Sequence, residues 1–382
     1  MPVDAAVIAD KVQRVLAAVP AEQACDPGYV AHTIRAEAGG IMSDVEVLSV
    51  LRKLRHDSVG VGPLEQVLSL PGVTDVLVNG TQGVWFDRGR GLEAADIGFA
   101  SEREVRQLAT RLLVSAGRRL DDTQCFADGQ LSRDDGSSVR VHAILSPPAQ
   151  GGTCISLRVL RHAVTSLETL CERGTMSEPT KACLQQLVAA RRSFLVIGGT
   201  GSGKTTLLAA LLGEVSHRQR IICIEDTAEL RPNHPHILGL VSRGTNTEGK
   251  GAITMADLLK QSLRMRPDRI VVGEIRGAEV IDLLAALNTG HDGCAGTVHA
   301  NSLLEVPARL EALAARGNMG RDQLMSQLAA AKPVVLAMRR QADGRRVLHQ
   351  IGVLSGIPTT VTVLWDVETM AQPNIDWAVV QQ

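Results

Sequence analysis

The sequence predicts an α/β fold, a largely parallel sheet covered by helices on both faces, preceded by a smaller α/β domain and a helical amino-terminal segment. Three observations predict it. The apolar run 194–197 leads directly into Gly198-Gly199-Thr200-Gly201-Ser202-Gly203-Lys204-Thr205-Thr206, after which residues 206–212 read as a helix. Strand-like runs recur at 220–224, 270–272, 296–299 and 334–338 with helical stretches between them, the alternation that parallel sheets require. Shorter strands and one amphipathic helix fill the region between residues 60 and 162.

Taken in order, residues 1–58 carry apolar positions at helical spacing: Val12, Val15, Leu16 and Val19, then Val47, Val50, Leu51 and Leu54. They predict a helical segment broken near Asp26-Pro27-Gly28, either a packing appendage or a partner-binding arm. From 59 to 165 the pattern is a small α/β domain: strand, turn, strand over 73–80 and 84–89, a helix over 102–116, and strands at 138–145 and 154–160. Residues 166–180, polar around Glu172-Arg173-Gly174, predict a linker. The second domain fills 181–382, with Asp343-Gly344-Arg345-Arg346 as a turn between two strands.

The glycine-rich run has the pattern G-x-x-x-x-G-K-[ST], whose chemistry is specific. Glycines let backbone N–H groups close round a β-phosphate, Lys204 reaches the β/γ oxygens, and the Thr205 hydroxyl holds Mg²⁺. The helix that follows points its positive end at the anion. A strand before and a helix after supply the context that a chance glycine-rich turn lacks.

Three further clusters follow apolar runs. In Ile224-Glu225-Asp226-Thr227-Ala228-Glu229 the carboxylates fall where a parallel sheet binds its ligands; they either engage Mg²⁺ and water or sit at a helix start, with Asp226 or Thr227 as cap. Glu274, after Ile270-Val271-Val272-Gly273, is the first choice for polarising a hydrolytic water, and a surface pair with Arg276 is its alternative. His291 and His299 are eight apart, which is not the i, i+4 spacing of a helical zinc pair. His299, beside Thr297 and Asn301, suits a γ-phosphate sensor or a plain hydrogen-bonded strand end. Among the arginines, Arg140 and Arg158 stand out because each lies within an apolar strand pattern.

Composition narrows the function classes. Of 382 residues, 40 are Lys or Arg and 41 Asp or Glu, so the net charge of −1 advertises no field for nucleic acid or an anionic membrane. Aromatic residues make up 2%, with Tyr29 the single tyrosine, which leaves little material for stacking bases. Apolar stretches are broken by charge well short of about 18 residues, and Met1-Pro2-Val3-Asp4 does not begin a secretory leader, so a cytosolic protein is expected. The seven cysteines never form C-x-x-C and read as free thiols.

The loop GGTGSGKTT, the IEDTAEL segment, the long stretch from LVSRGTNTEGKG through RMRPDRIVVGEIRGAEV to NTGHDG, and the TVHANS box together resemble the secretion ATPase superfamily of type II and type IV secretion and type IV pilus assembly. The match covers residues 62–356 and is nearest to the CpaF-like, tight-adherence branch. The resemblance implies a RecA-like P-loop ATPase domain behind a PAS-like amino-terminal domain. It also implies ATP and Mg²⁺ as cofactors, assembly into a homo-hexamer, and cytoplasmic placement against integral-membrane platform proteins; the near-neutral charge and few aromatics argue against a stable nucleic-acid contact. Carried over by position, Gly198 to Thr206 are the phosphate loop, Glu225, Asp226 and Glu229 the acidic box, Glu274 the second acidic strand end, and His291 with His299 the histidine box. Arg140, Arg158, Arg264 and Arg266 match arginines that the superfamily places around the phosphates. Glu274 would also hold Mg²⁺ through water, and one domain would rotate on the other near Gly174 as the γ-phosphate is lost. The alternatives are a DNA-transfer ATPase of the same mechanistic class and an ATP-dependent switch subunit without sustained turnover.

Overall fold

The computed structural model describes residues 27–38, 60–133, 137–160, 165–244, 251–370 and 372–377, together with Ile8, Lys11, Val12, Val15 and Val47. The chain divides into two compact units, 1–161 and 162–382.

In the first unit, helix α1 (Pro27–Glu37) begins at the proline expected to break the segment, because proline is favoured in a first helical turn. Its Ile34 is fully buried in a small cluster with Ile8, Val12 and Val47. Leu16, Val19, Val50, Leu51 and Leu54 lie outside the described residues.

After the short helix α2 (Glu65–Leu68) come β1 (Asp75–Asn79), β2 (Val84–Asp87), β3 (Leu92–Ala94), helix α3 (Glu102–Ser115), β4 (Phe126–Ser132), β5 (Ser138–Ile144) and β6 (Cys154–Leu160). They form an antiparallel sheet in the order β3-β2-β1-β6-β5-β4. Helix α3 starts where Ser101 Oγ accepts from the Glu104 N–H, and Glu104 in turn accepts from the Ala100 N–H at 3.0 Å. Val105, Leu108, Leu112 and Leu113 of α3 share a core with Val139, Val141, Ala143, Ile155 and Leu157 of the sheet. Strand alternation then turns Arg140, His142, Ser156 and Arg158 to the other face. Strands β3 and β4 were not expected from sequence. In β4, Gly129 breaks the apolar alternation, and it does so because a Cβ there would lie 2.5 Å from Ala116 Cβ.

The second unit opens with α4 (Leu167–Glu172) and α5 (Glu178–Ala189). Residues 166–180, read above as a linker, are instead built into this unit. Leu167, Leu170 and Met176 join its core, and the Leu348 N–H donates to Thr175 O at 2.9 Å. The polar residues that suggested a linker occupy its exposed side.

There follow β7 (Phe194–Ile197), α6 (Lys204–Gly213), β8 (Ile221–Glu225), β9 (Ile237–Val241), α7 (Met255–Ser262), β10 (Arg269–Ile275), α8 (Glu279–Asn288), β11 (Ala295–Val298), α9 (Val306–Ala315), α10 (Arg321–Ala331), β12 (Val334–Arg340), β13 (Arg346–Ser355) and β14 (Thr360–Asp366). The sheet order is β14-β13-β12-β7-β11-β10-β8-β9, parallel from β12 to β9, with β13 and β14 added antiparallel. This is the expected α/β architecture, with β7 near the centre. Phe194 and Val196 of β7 point into one core and Leu195 and Ile197 into the other, and Ile221 and Cys223 divide from Ile222 and Ile224 in the same way. Burial on both faces explains why these strands read as continuous apolar runs.

Phe194 is 1% exposed and packs among the helices on one face of the sheet. Phe194→Ala is expected to cost about 3–5 kcal/mol, seen as a lowered urea midpoint by circular dichroism. A loss below about 1 kcal/mol would contradict this placement.

Candidate active site

Parallel strands deliver their carboxyl ends to one edge of the sheet, and there four loops meet. The phosphate loop follows β7, Glu225 ends β8, Glu274 lies in the last turn of β10, and His299 follows β11. The pairing between β10 and β11 shifts register between Val272 and Ile275, an irregularity that falls on Gly273 and Glu274 and re-aims the carboxylate.

The loop's conformation depends on glycine. Gly198 has φ 147°, and a Cβ there would meet Met338 O at 2.4 Å and Ser202 Oγ at 2.5 Å. Gly203, at φ 94°, caps helix α6 in the left-handed region. Lys204 is 8% exposed and its Nζ donates to the carbonyls of Gly198 (3.0 Å) and Gly199 (2.9 Å). Burial lowers the Lys204 pKa while the charge of Glu274 raises it, and burial is the larger effect. Ser202 Oγ is buried without a hydrogen-bond partner among the described residues. A buried ammonium resting on backbone carbonyls, an orphaned hydroxyl, a glycine cradle and half-buried Thr205 at the helix start are a donor set that fits a polyphosphate with its Mg²⁺.

Glu274 has both oxygens engaged. Oε1 is 3.0 Å from His299 Nε2, and Oε2 accepts from Arg276 Nη2 at 2.7 Å. Burial alone would raise its pKa; the hydrogen bond from Arg276 and the charges of Arg276, His299 and Lys204 outweigh burial and hold the carboxyl below its ordinary value. The His299 pKa is lowered, first by burial and then by the charge of Lys204, while the charge of Glu274 opposes the shift. Thr297, buried beneath, donates to Gly273 O at 2.7 Å and fixes the bulge. Arg276 also binds Asp226 Oδ2 at 2.7 Å, so one guanidinium ties the loops after β8 and β10 together.

The acidic box separates into three environments. Glu225, 4% exposed, accepts from the N–H groups of Glu229 (3.0 Å) and Leu230 (2.9 Å), and burial pushes its pKa up to about 7. Asp226 is paired with Arg276, and Glu229 is exposed. The residues after β8 form bends rather than a helix, so Asp226 and Thr227 are not helix caps. Arg276, named from sequence only as a possible pair for Glu274, is the bridge of the cluster; its position two residues after Glu274 was the available signal.

Other residues named from sequence lie elsewhere. Arg264 and Arg266 precede β10 and His291 precedes β11, so all three stand at the amino ends of parallel strands, the edge opposite the phosphate loop. A seven-residue strand separates the two edges of β10 by about 20 Å. Within one subunit all three therefore stand away from the phosphate loop. His291 Nδ1 is buried without a described partner, and Gly293, close by, leaves room for Arg269 Nη1, which a Cβ would meet at 2.5 Å. Arg140 and Arg158 belong to the first unit, directly opposed on β5 and β6. Their repulsion is relieved by Asp128, 3.9 Å from Arg140, and by Asp75, 2.9 Å from Arg158. Among the described residues no group of three or more His, Cys, Asp or Glu side chains is arranged to hold a metal on protein ligands alone.

Residues 57–343 match the family model described as "Type II/IV secretion system protein". The chain belongs to this family. A Mycobacterium tuberculosis (strain H37Rv) protein named "Putative conjugal transfer protein Rv3659c" is 56% identical over 316 residues, covering 82% of this chain and 90% of that protein. Conjugal transfer protein TrbB of Rhizobium radiobacter is 31% identical over 311 residues, covering 80% of this chain and 90% of its own length. Among solved structures, the pilus retraction motor PilT with bound ADP superposes with a TM-score of 0.55 at 20% identity, covering 76% of this chain and 80% of that one. That level of likeness carries the fold, an amino-terminal domain followed by a RecA-like ATPase domain. The secretion-system family is one of secretion- and conjugation-type ATPases, and membership implies nucleotide binding.

The neutral Glu225 has a stability consequence. Its carboxyl titrates near 4.5 when unfolded and near 7 when folded, so the favourable contribution is complete below about 4.5 and is lost as pH rises through about 7. The stability of Glu225→Gln relative to the unsubstituted protein is therefore expected to improve by about 2–3 kcal/mol between pH 5 and pH 8.5, measured by urea unfolding at both values. A gap independent of pH would contradict the protonated, buried state.

Proposed function

We propose that this chain hydrolyses ATP to drive a type IV or tight-adherence-like pilus or secretion machine. The observation that carries the reading is Glu274, held ionised between Arg276 and His299 at the same sheet edge as the phosphate loop. The extensive motif match to the CpaF-like branch supports the pilus assignment.

Lys204 exchanges its bonds to the Gly198 and Gly199 carbonyls for β/γ oxygens of the nucleotide, and loop N–H groups from Gly199 to Thr206 surround the β-phosphate. Mg²⁺ would be held by the Thr205 hydroxyl and, through water, by Glu274; it supplies charge neutralisation at the transferring phosphoryl group. Glu274, an ionised carboxylate, accepts a hydrogen bond from the attacking water and orients it. His299, its Nε2 3.0 Å from Glu274 Oε1, senses whether a γ-phosphate is present and passes the difference to the β11 loop. The working form is a homo-hexamer acting at the inner face of a membrane on integral platform proteins. No described helix is long and apolar enough to cross a membrane.

A second reading, DNA transfer, is favoured by the conjugal-transfer names of the Mycobacterium and Rhizobium relatives. Near-neutral charge and 2% aromatic content favour a protein cargo, and stimulation of hydrolysis by nucleic acid separates the two. A switch subunit is the third possibility, distinguished by tight ATP binding without turnover.

Lys204→Ala is expected to abolish both hydrolysis and fibre assembly in cells; fibres made by this variant would contradict the motor. Glu274→Gln is expected to retain ATP binding and lose about 10²-fold or more in turnover. Turnover of the unsubstituted protein should rise with concentration as a species of about six subunits appears in sedimentation.

A further inference from the structure

The hairpin of β12 and β13, to which the sequence assigned no chemistry, packs against the phosphate loop from behind. Strand β12 runs beside β7 in register from Val334 opposite Phe194 to Ala337 opposite Ile197, and Ile197 is the residue from which the loop departs. Met338 is thus the first β12 residue past the end of β7. Its carbonyl meets the loop's first glycine, since a Cβ on Gly198 would lie 2.4 Å from Met338 O. Its terminal methyl would lie 3.4 Å from a Cβ on Gly203, the last glycine of the loop. Gly198 also supplies one of the two carbonyls on which Lys204 Nζ rests.

Strand β13 is irregular at this same level. Ala337 pairs with Gln350 but Met338 pairs with Leu348, so His349 is an extra residue, bulged out of the ladder. The bulge explains why Leu348 and Ile351, three residues apart, share one core when regular alternation would send them to opposite faces. On its other side β13 shifts register against β14 as well, between Ile351 and Gly352. Where both ladders are interrupted, a side chain takes part in the pairing. His349, 4% exposed, donates from Nδ1 to Ala337 O at 3.0 Å, and its own carbonyl accepts from the Val367 N–H at 2.9 Å. Because the acceptor is a carbonyl, the proton is on Nδ1. The Ala337 carbonyl belongs to the planar peptide that leads into Met338, so holding that oxygen orients the residue whose own oxygen seats Gly198.

We propose that His349 is a positioning residue for the phosphate loop: its hydrogen bond to Ala337 fixes the end of β12 against Gly198, so that the loop is already shaped for a polyphosphate before one arrives. A loop shaped in advance binds without the cost of being ordered on arrival. The inference rests on the triphosphatase reading, and it gives His349 no contact with nucleotide or water.

The test compares three variants of the full chain. His349→Leu removes the donor, His349→Gln carries its amide N–H one bond too far out, and His349→Asn places an N–H where Nδ1 stands. Affinity for inorganic tripolyphosphate with Mg²⁺ is measured by calorimetry, and KM and kcat for ATP by steady-state turnover. Leu and Gln should each weaken tripolyphosphate and raise KM by about five- to tenfold with kcat within about threefold, and Asn should stay within about twofold of the unsubstituted protein. Gln keeps the test open if Leu does not fold. Folded Leu or Gln variants with a lowered urea midpoint but unchanged KM and tripolyphosphate affinity would show a purely structural histidine and overturn the proposal. Asn as impaired as Gln would overturn the hydrogen bond as its agent. Failure of the unsubstituted chain to bind tripolyphosphate or ATP would instead overturn the triphosphatase reading, and this inference with it.

Discussion

The parallel register of β8, β10, β11 and β7 is the constraint on which the site depends. Hydrogen-bonded parallel strands must all end on the same side, so residues from four separate stretches of sequence converge at one edge without contacting one another in the chain. Burial on both faces fixes that register, because a slip of one residue would exchange the two cores. Among the parallel strand pairs, regular pairing is broken between Val272 and Ile275, where Thr297 binds Gly273 O from the neighbouring strand. Regular pairing thus sets the edge, and one local irregularity aims Glu274.

Two glutamates at that edge show how environment separates identical side chains. Glu225 and Glu274 end adjacent strands, and burial raises the pKa of both. Glu274 faces Arg276, His299 and Lys204, whose hydrogen bond and charges reverse the effect of burial. Glu225 accepts from two backbone N–H groups and lies near the charges of Glu229 and Asp226, so burial prevails and pushes its pKa up to about 7. One carboxyl is held below its ordinary pKa, and the other, raised, accepts the N–H groups of the loop that carries Asp226. Gly273 allows this closeness, since a Cβ there would lie 2.7 Å from Glu225 Cγ.

What could be read from sequence follows from the same physics. Strands buried on both faces produce unbroken apolar runs, so β7, β8, β10, β11 and β12 were legible within a few residues. Strand β9 was not assigned, because Gly239 interrupts a short run at the sheet's edge, and β4 was hidden by a glycine that tertiary packing requires. The 166–180 segment looked like a linker because its polar residues outnumber Leu167, Leu170 and Met176, the three that decide where it packs. Local spacing singled out the phosphate loop, Glu274 and His299, which the fold brings to one edge. It could not reveal that Arg276 spans Asp226 and Glu274, since Asp226 lies fifty residues away.

The same topology limits what one subunit can bring to a nucleotide. A parallel sheet has a carboxyl edge and an amino edge, and Arg264, Arg266 and His291 are tied to the amino edge by the strands that follow them. No rotamer crosses the length of β10, so these side chains can meet phosphates bound at the carboxyl edge only if another copy of the chain presents its amino edge there. In the hexamer proposed above, such a contact joins unlike surfaces of successive subunits head to tail, the arrangement that closes into a ring. The placement of three motif residues on the far edge therefore bears on assembly as much as on chemistry: in the proposed ring, a neighbour would bring Arg264 and Arg266 to a carboxyl edge that already carries Lys204, Glu274, Arg276 and His299.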